Sequence, residues 1–155
     1  MIEFELTEHF DHPPERILAA LTDLDRLGAW MPDFVAVERL EGGPYRVGST
    51  WLETRHLFGR EATEHVEVVA LDPPKRLVLE VDGSKGTSRR GEYRFTYTLT
   101  PEDGGTRVAL RGEGSGLGTL GRVVGRFLLG PFERACRRDV RALRRWLDEG
   151  GDREG

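Results

Sequence analysis

The last third of the chain carries an apolar stripe too long for anything but one extended helix. Leu120, Val124, Phe127, Leu128, Phe132, Cys136, Val140, Leu143 and Leu147 recur at spacings of three and four, the period of a single helix face. The pattern predicts one helix from the end of the glycine-rich stretch Gly112–Gly121 to about Glu149. At about 1.5 Å per residue such a helix reaches about 45 Å, enough to cross a whole domain. Pro131, following Gly130, lacks a backbone donor and predicts a kink. Phe127 and Phe132 flank that kink, where helix movement would widen an entrance.

Almost everything before this helix has a period of two. Residues 2–10 alternate, with Ile2, Phe4, Leu6 and Phe10 on one face and Glu3, Glu5, Thr7 and His9 on the other, although Glu8 interrupts the apolar row. Strands are expected near 34–41, 47–57, 61–71, 76–82, 90–100 and 106–113, because Gly, Pro or Asp punctuates each gap and most gaps suit antiparallel hairpins. The clearest of them places Tyr93, Phe95, Tyr97 and Leu99 on one face, with Val108 and Leu110 across from them in the next strand. Helical spacing returns only between strands one and two. Ile17, Leu18, Leu21 and Leu24 predict a short helix with His12 as N-cap, Pro13 at the first position and Glu15 at the third. A second short helix is expected near 23–29, before Pro32.

A seven-stranded antiparallel sheet has to cover its apolar face, and only the last helix is long enough to do so. Strand, two short helices, six strands and a long helix therefore predict an α+β fold, a curved sheet wrapped around the C-terminal helix. The 155 residues suit one domain, 1–149, with a polar tail at 150–155. The single cysteine, Cys136, excludes an internal disulfide and a cysteine-based zinc cluster. No apolar run is long enough to cross a membrane and no leader-like segment opens the chain, so a cytoplasmic protein is expected. The net charge of −4 argues against a nucleic-acid partner. Residues 117–149 hold eight Arg against four acidic residues, net +4, which leaves −8 for the rest and reads as a solvated helix face beside an acidic sheet.

The chain resembles the START/Bet v 1-like helix-grip superfamily (SRPBCC), in its bacterial polyketide cyclase/dehydrase-like branch. The resemblance rests on the opening strand running into Pro13-Pro14-Glu15-Arg16-Ile17, on Leu27-Gly28-Ala29-Trp30-Met31-Pro32, and on Val47-Gly48-Ser49-Thr50-Trp51. Leu71-Asp72-Pro73-Pro74-Lys75-Arg76-Leu77 and the glycine-rich entry to the long helix complete it. It implies a hydrophobic cavity between sheet and helix, and a lipid, polyketide or quinone-like ligand. It also admits a polyketide cyclase or dehydrase acting in that cavity, a chaperone-cofactor-like interaction module, and a homodimer through an exposed strand edge. Fold alone does not choose among these.

No catalytic signature is present: no nucleophile elbow, phosphate loop, dinucleotide fingerprint or zinc-protease motif. No cofactor is implied, and the four histidines lack a third metal ligand. His9 and His12 read as solvated. His56 and His65 lie on neighbouring strands and could meet across the hairpin. The even face of strand 47–57 holds Thr50, Leu52, Thr54, His56 and Phe58; the odd face holds Trp51, Glu53 and Arg55. One bulge reverses which of them looks inward, so the parity stays open. With the even face inward, His56 with Tyr93 or Tyr97 is the candidate for proton transfer. The ligand-lining set is then Trp30, Phe34, Leu52, Thr54, His56 and Phe58 with Tyr93, Phe95, Tyr97, Phe127 and Phe132. Glu53 and Arg55, or Glu92 and Arg94, offer a charged pair of the sort family cyclases use, while alternating charge on an exposed strand face spells the same letters. Cys136, on the apolar stripe, reads as an inert small hydrophobe.

Overall fold

The computed structural model describes residues 2–57, 59–87, 91–115 and 118–153, with the side chains of all of these except Ile2 and 115–129. The period-two segments form β1 (Ile2–Phe10), β2 (Phe34–Arg39), β3 (Thr50–Leu57), β4 (Arg60–Asp72), β5 (Arg76–Asp82), β6 (Glu92–Glu102) and β7 (Gly105–Ser115). Between β1 and β2 lie α1 (Pro14–Thr22), a 3-10 turn at Leu24–Arg26 and α2 (Leu27–Trp30); α3 (Gly118–Asp148) follows β7. All seven strands join in one curved antiparallel sheet of order β1-β7-β6-β5-β4-β3-β2, the helix-grip arrangement. Helix α3 is continuous through Pro131. Among the described residues no helix is long and apolar enough to cross a membrane.

Several local boundaries depart from expectation, each for a physical reason. Strand β3 begins at Thr50, not 47, because a turn at Gly48 (φ 95°) is closed by Ser49 N–H on the Arg46 carbonyl at 3.0 Å and Arg46 N–H on Ser49 Oγ at 2.9 Å. Strand β6 runs on to Glu102, since Asp103 and Gly104 both have positive φ (42° and 77°), as a two-residue hairpin turn requires. The glycine-rich stretch divides: Gly112 and Gly114 belong to β7, Gly118 and Gly121 to α3, and Gly116 lies outside the described residues. A Cβ on Gly112 would run into the ring of Phe4, its partner across the β1–β7 ladder.

His12 is neither solvated nor a cap. Pro13 occupies the N-cap position of α1 with no side-chain capping bond. His12 is 8% exposed, with Nε2 2.7 Å from Asp148 Oδ1 and Nδ1 2.9 Å from Arg16 Nη1. A guanidinium only donates, so Nδ1 accepts and Nε2–H donates to Asp148. Arg16 in turn forks onto Asp152 at 2.7 Å twice. This network fastens the start of α1 to the end of α3.

The core lies where α1 and the second half of α3 meet the sheet. Leu6, Phe10, Val108, Leu99 and Leu77 pack there with Ile17, Leu21, Leu143 and Leu147, all buried. Glu8 shares the inward face of β1 with these apolar residues. It is matched from α3 by Arg137 (3.1 Å), Arg141 (2.8 Å) and Arg144 (3.0 Å), which share one helix face at i, i+4 and i+7. Part of the arginine-rich face thus answers a carboxylate in the sheet and is not simply solvated.

Candidate functional site

The inward face of the sheet is unequally filled. Along β6 the row runs from buried Leu99 to half-buried Tyr97, Phe95 and Tyr93; along β5 it runs from buried Leu77 to half-buried Leu79 and Val81. From α3, Phe132 reaches over this half-buried region. Its ring lies 5.8 Å from Tyr93, 6.0 Å from Phe95 and 5.6 Å, edge-on, from Phe4.

The parity of β3 is the decisive local fact. Trp51 is 2% exposed and packs in the core, which turns Glu53 and Arg55 inward with it. Arg55 Nη1 and Nη2 donate to the two carboxylate oxygens of Asp139 on α3 at 2.8 and 2.7 Å, and Nη2 also donates to the Pro32 carbonyl at 2.7 Å. One guanidinium thereby ties β3, the helix and the segment after α2 together. The even face points away: His56 is exposed, and Thr54 exchanges a 2.7 Å hydrogen bond with Thr63 on the outer side. This corrects the even-face-inward arrangement for Leu52, Thr54 and His56. In the β3–β4 ladder His56 lies opposite Glu61 and His65 opposite Leu52, so the two histidines do not face one another. Among the described residues no group of three or more His, Cys, Asp or Glu is placed to hold a metal ion.

Of the other expected residues, Trp30 is buried, with its indole N–H unpartnered among the described residues, and Phe34 is half-buried against the core. Tyr93, Phe95, Tyr97 and Phe132 share the inward region. Phe58 and the side chain of Phe127 lie outside the described residues. Of the two charged pairs, Glu53 and Arg55 are inside. Arg94 pairs with Glu80 across the β5–β6 ladder at 2.9 Å and Glu92 is exposed.

Four polar groups from three elements converge on this face: Glu53, Arg55, Tyr97 and Asp139. Burial pushes the Glu53 carboxyl above the usual carboxylate range; Arg55 and the Trp51 N–H, 3.4 Å from Oε1, pull the other way, while Asp139 and Glu64 add to the rise. Burial raises the Tyr97 phenol as well, reinforced by Asp139, Cys136 and Glu53. The Cys136 thiol is pushed up to about 12, chiefly by burial, so it is no nucleophile at neutral pH. Sequence reasoning missed Asp139 entirely. Its one trace is an acidic residue beside Cys136 and Val140, on the stripe side of an otherwise arginine-rich helix.

Proteins of distant sequence share this fold. Ginseng major latex-like protein 151 from Panax ginseng superposes with a TM-score of 0.75 at 12% identity, over 92% of this chain and 95% of that one. Ara h 8.0201 gives 0.73 at 14% identity, over 96% of this chain and 98% of that one. The di-domain ARO/CYC StfQ from the steffimycin biosynthetic pathway gives 0.76 at 14% identity, with 97% of this chain overlying 52% of that one. At such identities the likeness establishes the fold. No curated protein matches the chain significantly in sequence. The family model described as polyketide cyclase / dehydrase and lipid transport matches residues 1–148, nearly the full length, and the chain belongs to that family.

Proposed function

We propose that the chain binds a hydrophobic small molecule, of lipid, polyketide or quinone-like character, between the sheet and α3. The observation that carries this is the unequal filling of the inward face. A sheet built only to cover a helix would bury its aromatic row end to end, yet Tyr93, Phe95 and Tyr97 stay half-buried beside Phe132. Apolar walls with a few convergent polar groups are what small-molecule sites are made of. Membership in a family of cyclases, dehydrases and lipid-transport proteins supports the same reading.

The test is native mass spectrometry of the purified protein beside a denaturing run. An adduct lost on denaturation is expected, and its mass names the ligand class. A bare mass, together with failure of an added hydrocarbon such as ethylnaphthalene to bind, overturns the proposal.

The second reading is a cyclase or dehydrase working in the same space. It is favoured by the convergence of Glu53, Arg55 and Tyr97, since binding alone does not call for three ionisable groups. Holding a flexible chain in a reactive fold supplies up to about 7–11 kcal/mol of the barrier, so few acid–base groups suffice. Tyr97 and Tyr93 remain the phenols to test for proton transfer. His56, on the outer face, has no part in it.

A further inference from the structure

The outward side of α3 carries a charge pattern of its own. Arg134, Arg138, Arg141 and Arg145 recur at spacings of four, three and four, and all of them are exposed. They make one stripe about 17 Å long. Arg137 and Arg144 flank it and turn, with Arg141, to Glu8. Arg138 meets Asp33 at 3.1 Å and Arg137 also meets Glu133 at 3.6 Å. Arg134 and Arg145 have no ion pair among the described residues. Six guanidiniums between 134 and 145 thus share three carboxylates, which leaves three positive charges uncompensated. Asp139, the other acidic residue of that stretch, is turned inward to Arg55. Asp148 and Glu149 stand beyond the last arginine, Asp148 against His12. Asp33 also joins the stripe to apolar surface. Its carbonyl accepts a 2.8 Å hydrogen bond from the His56 N–H, which brings Leu57 beside it, and Val35 follows two residues on. Val35 and Leu57 are both exposed, at 39% and 37%.

We propose that this arginine stripe, with Val35 and Leu57 at its side, docks the protein on a bilayer containing anionic phospholipid. Guanidinium forks match phosphate oxygens. A straight row of them on the convex side of a helix meets a plane of headgroups along its whole length. Apolar side chains beside basic ones then enter the boundary between headgroups and acyl chains. A protein partner would call for aromatic anchors in its central contact, and the stripe itself holds only arginines. A nucleic acid would meet an overall charge of −4. The same asymmetry confines attraction for an anionic membrane to this one side of the molecule. The inference goes beyond ligand binding but agrees with it. Phe132 and Asp139 stand on the inward side of the same helix, so docking sets the proposed site against a store of hydrophobic molecules.

Co-sedimentation with two kinds of vesicle tests this: phosphatidylcholine alone, and phosphatidylcholine mixed with phosphatidylglycerol. Near an anionic surface each uncompensated charge is worth about fivefold, so the wild type should prefer the mixed vesicles about a hundredfold. Added salt should erase that preference. Arg134→Ala/Arg145→Ala breaks no ion pair among the described residues and should cut the preference about 25-fold. Arg76→Ala/Arg107→Ala takes the same charge from exposed positions on the outer face of the sheet and should leave the preference intact. Equal binding to both vesicles, binding to neither, or equal losses in the two double variants overturns the proposal. Displacement from mixed vesicles by duplex DNA or polyglutamate at equal charge overturns it too, because the stripe would then serve another polyanion. Native mass spectrometry reads ligand binding separately. Vesicle binding that fails therefore leaves the ligand reading standing, and a bare mass leaves the docking surface standing.

Discussion

Replacing Asp139 with alanine takes the counter-charge from Arg55 and leaves the guanidinium facing Glu53, Tyr97 and the Pro32 carbonyl. Two charge-assisted hydrogen bonds, at 2.7 and 2.8 Å, are lost. Breaking a fully buried ion pair costs about 3–5 kcal/mol because the remaining charge is stranded. Here the Arg55 and Asp139 side chains are 17% and 22% exposed, so water recovers part of that cost. The expected loss is about 2–3 kcal/mol. With a urea slope of about 2 kcal/mol/M, the unfolding midpoint should fall by about 1–1.5 M. The matched double variant Arg55→Met/Asp139→Leu removes both charges and fills similar volume, and it should recover most of the loss. A single variant within about 0.5 kcal/mol of wild type would place the pair among weak surface bridges and refute the reasoning. A double variant no more stable than the single one would refute it too, because the penalty would then come from packing rather than a stranded charge.

Glu8 and Gly112 give two further expectations. Burial pulls the Glu8 carboxyl upward, but hydrogen bonds from Arg141 and Arg137 prevail and hold it below the ordinary carboxylate value. Its stabilisation is therefore present at neutral pH and is lost as pH falls through the lowered value. Glu8→Gln should destabilise by about 1–2 kcal/mol near neutrality, with the two proteins converging in acid; a gap that persists unchanged at low pH would contradict this. Gly112→Ala sets a methyl group against the Phe4 ring. It should cost about 1–3 kcal/mol by overpacking, read as a lowered melting temperature, and an unchanged melting temperature would show that Phe4 has room to move.

The experiments bear on features that differ in how far the sequence alone discloses them. Strand β5 occupies the span its alternation predicts, 76–82, with Leu77, Leu79 and Val81 at every second position on the inward face. The hairpin after β6 is legible to within two residues, since Asp103-Gly104 is a turn dipeptide whose backbone preference is local. The long helix follows from its own stripe, although Gly118 and Gly121 hid its first turn. The parity of β3 could not be read. One face offers Trp51, Glu53 and Arg55, the other Leu52, Thr54 and His56, so each has one large apolar residue followed by polar ones. Such a strand has no amphipathic signal to orient it.

The sequence by itself determined the order of elements and the helix-grip fold, because period, turn chemistry and the need to cover one sheet face are properties of short segments and their sum. Only the tertiary structure decided the site. Trp51 docked against the core turns Glu53 and Arg55 inward. Arg55 then meets Asp139 across 84 residues of chain, and the curved sheet brings Tyr97 into the same electrostatic neighbourhood. A charge on a strand is worth little until it is known whether water or another charge lies beside it. That depends on which elements come together, which no local pattern encodes.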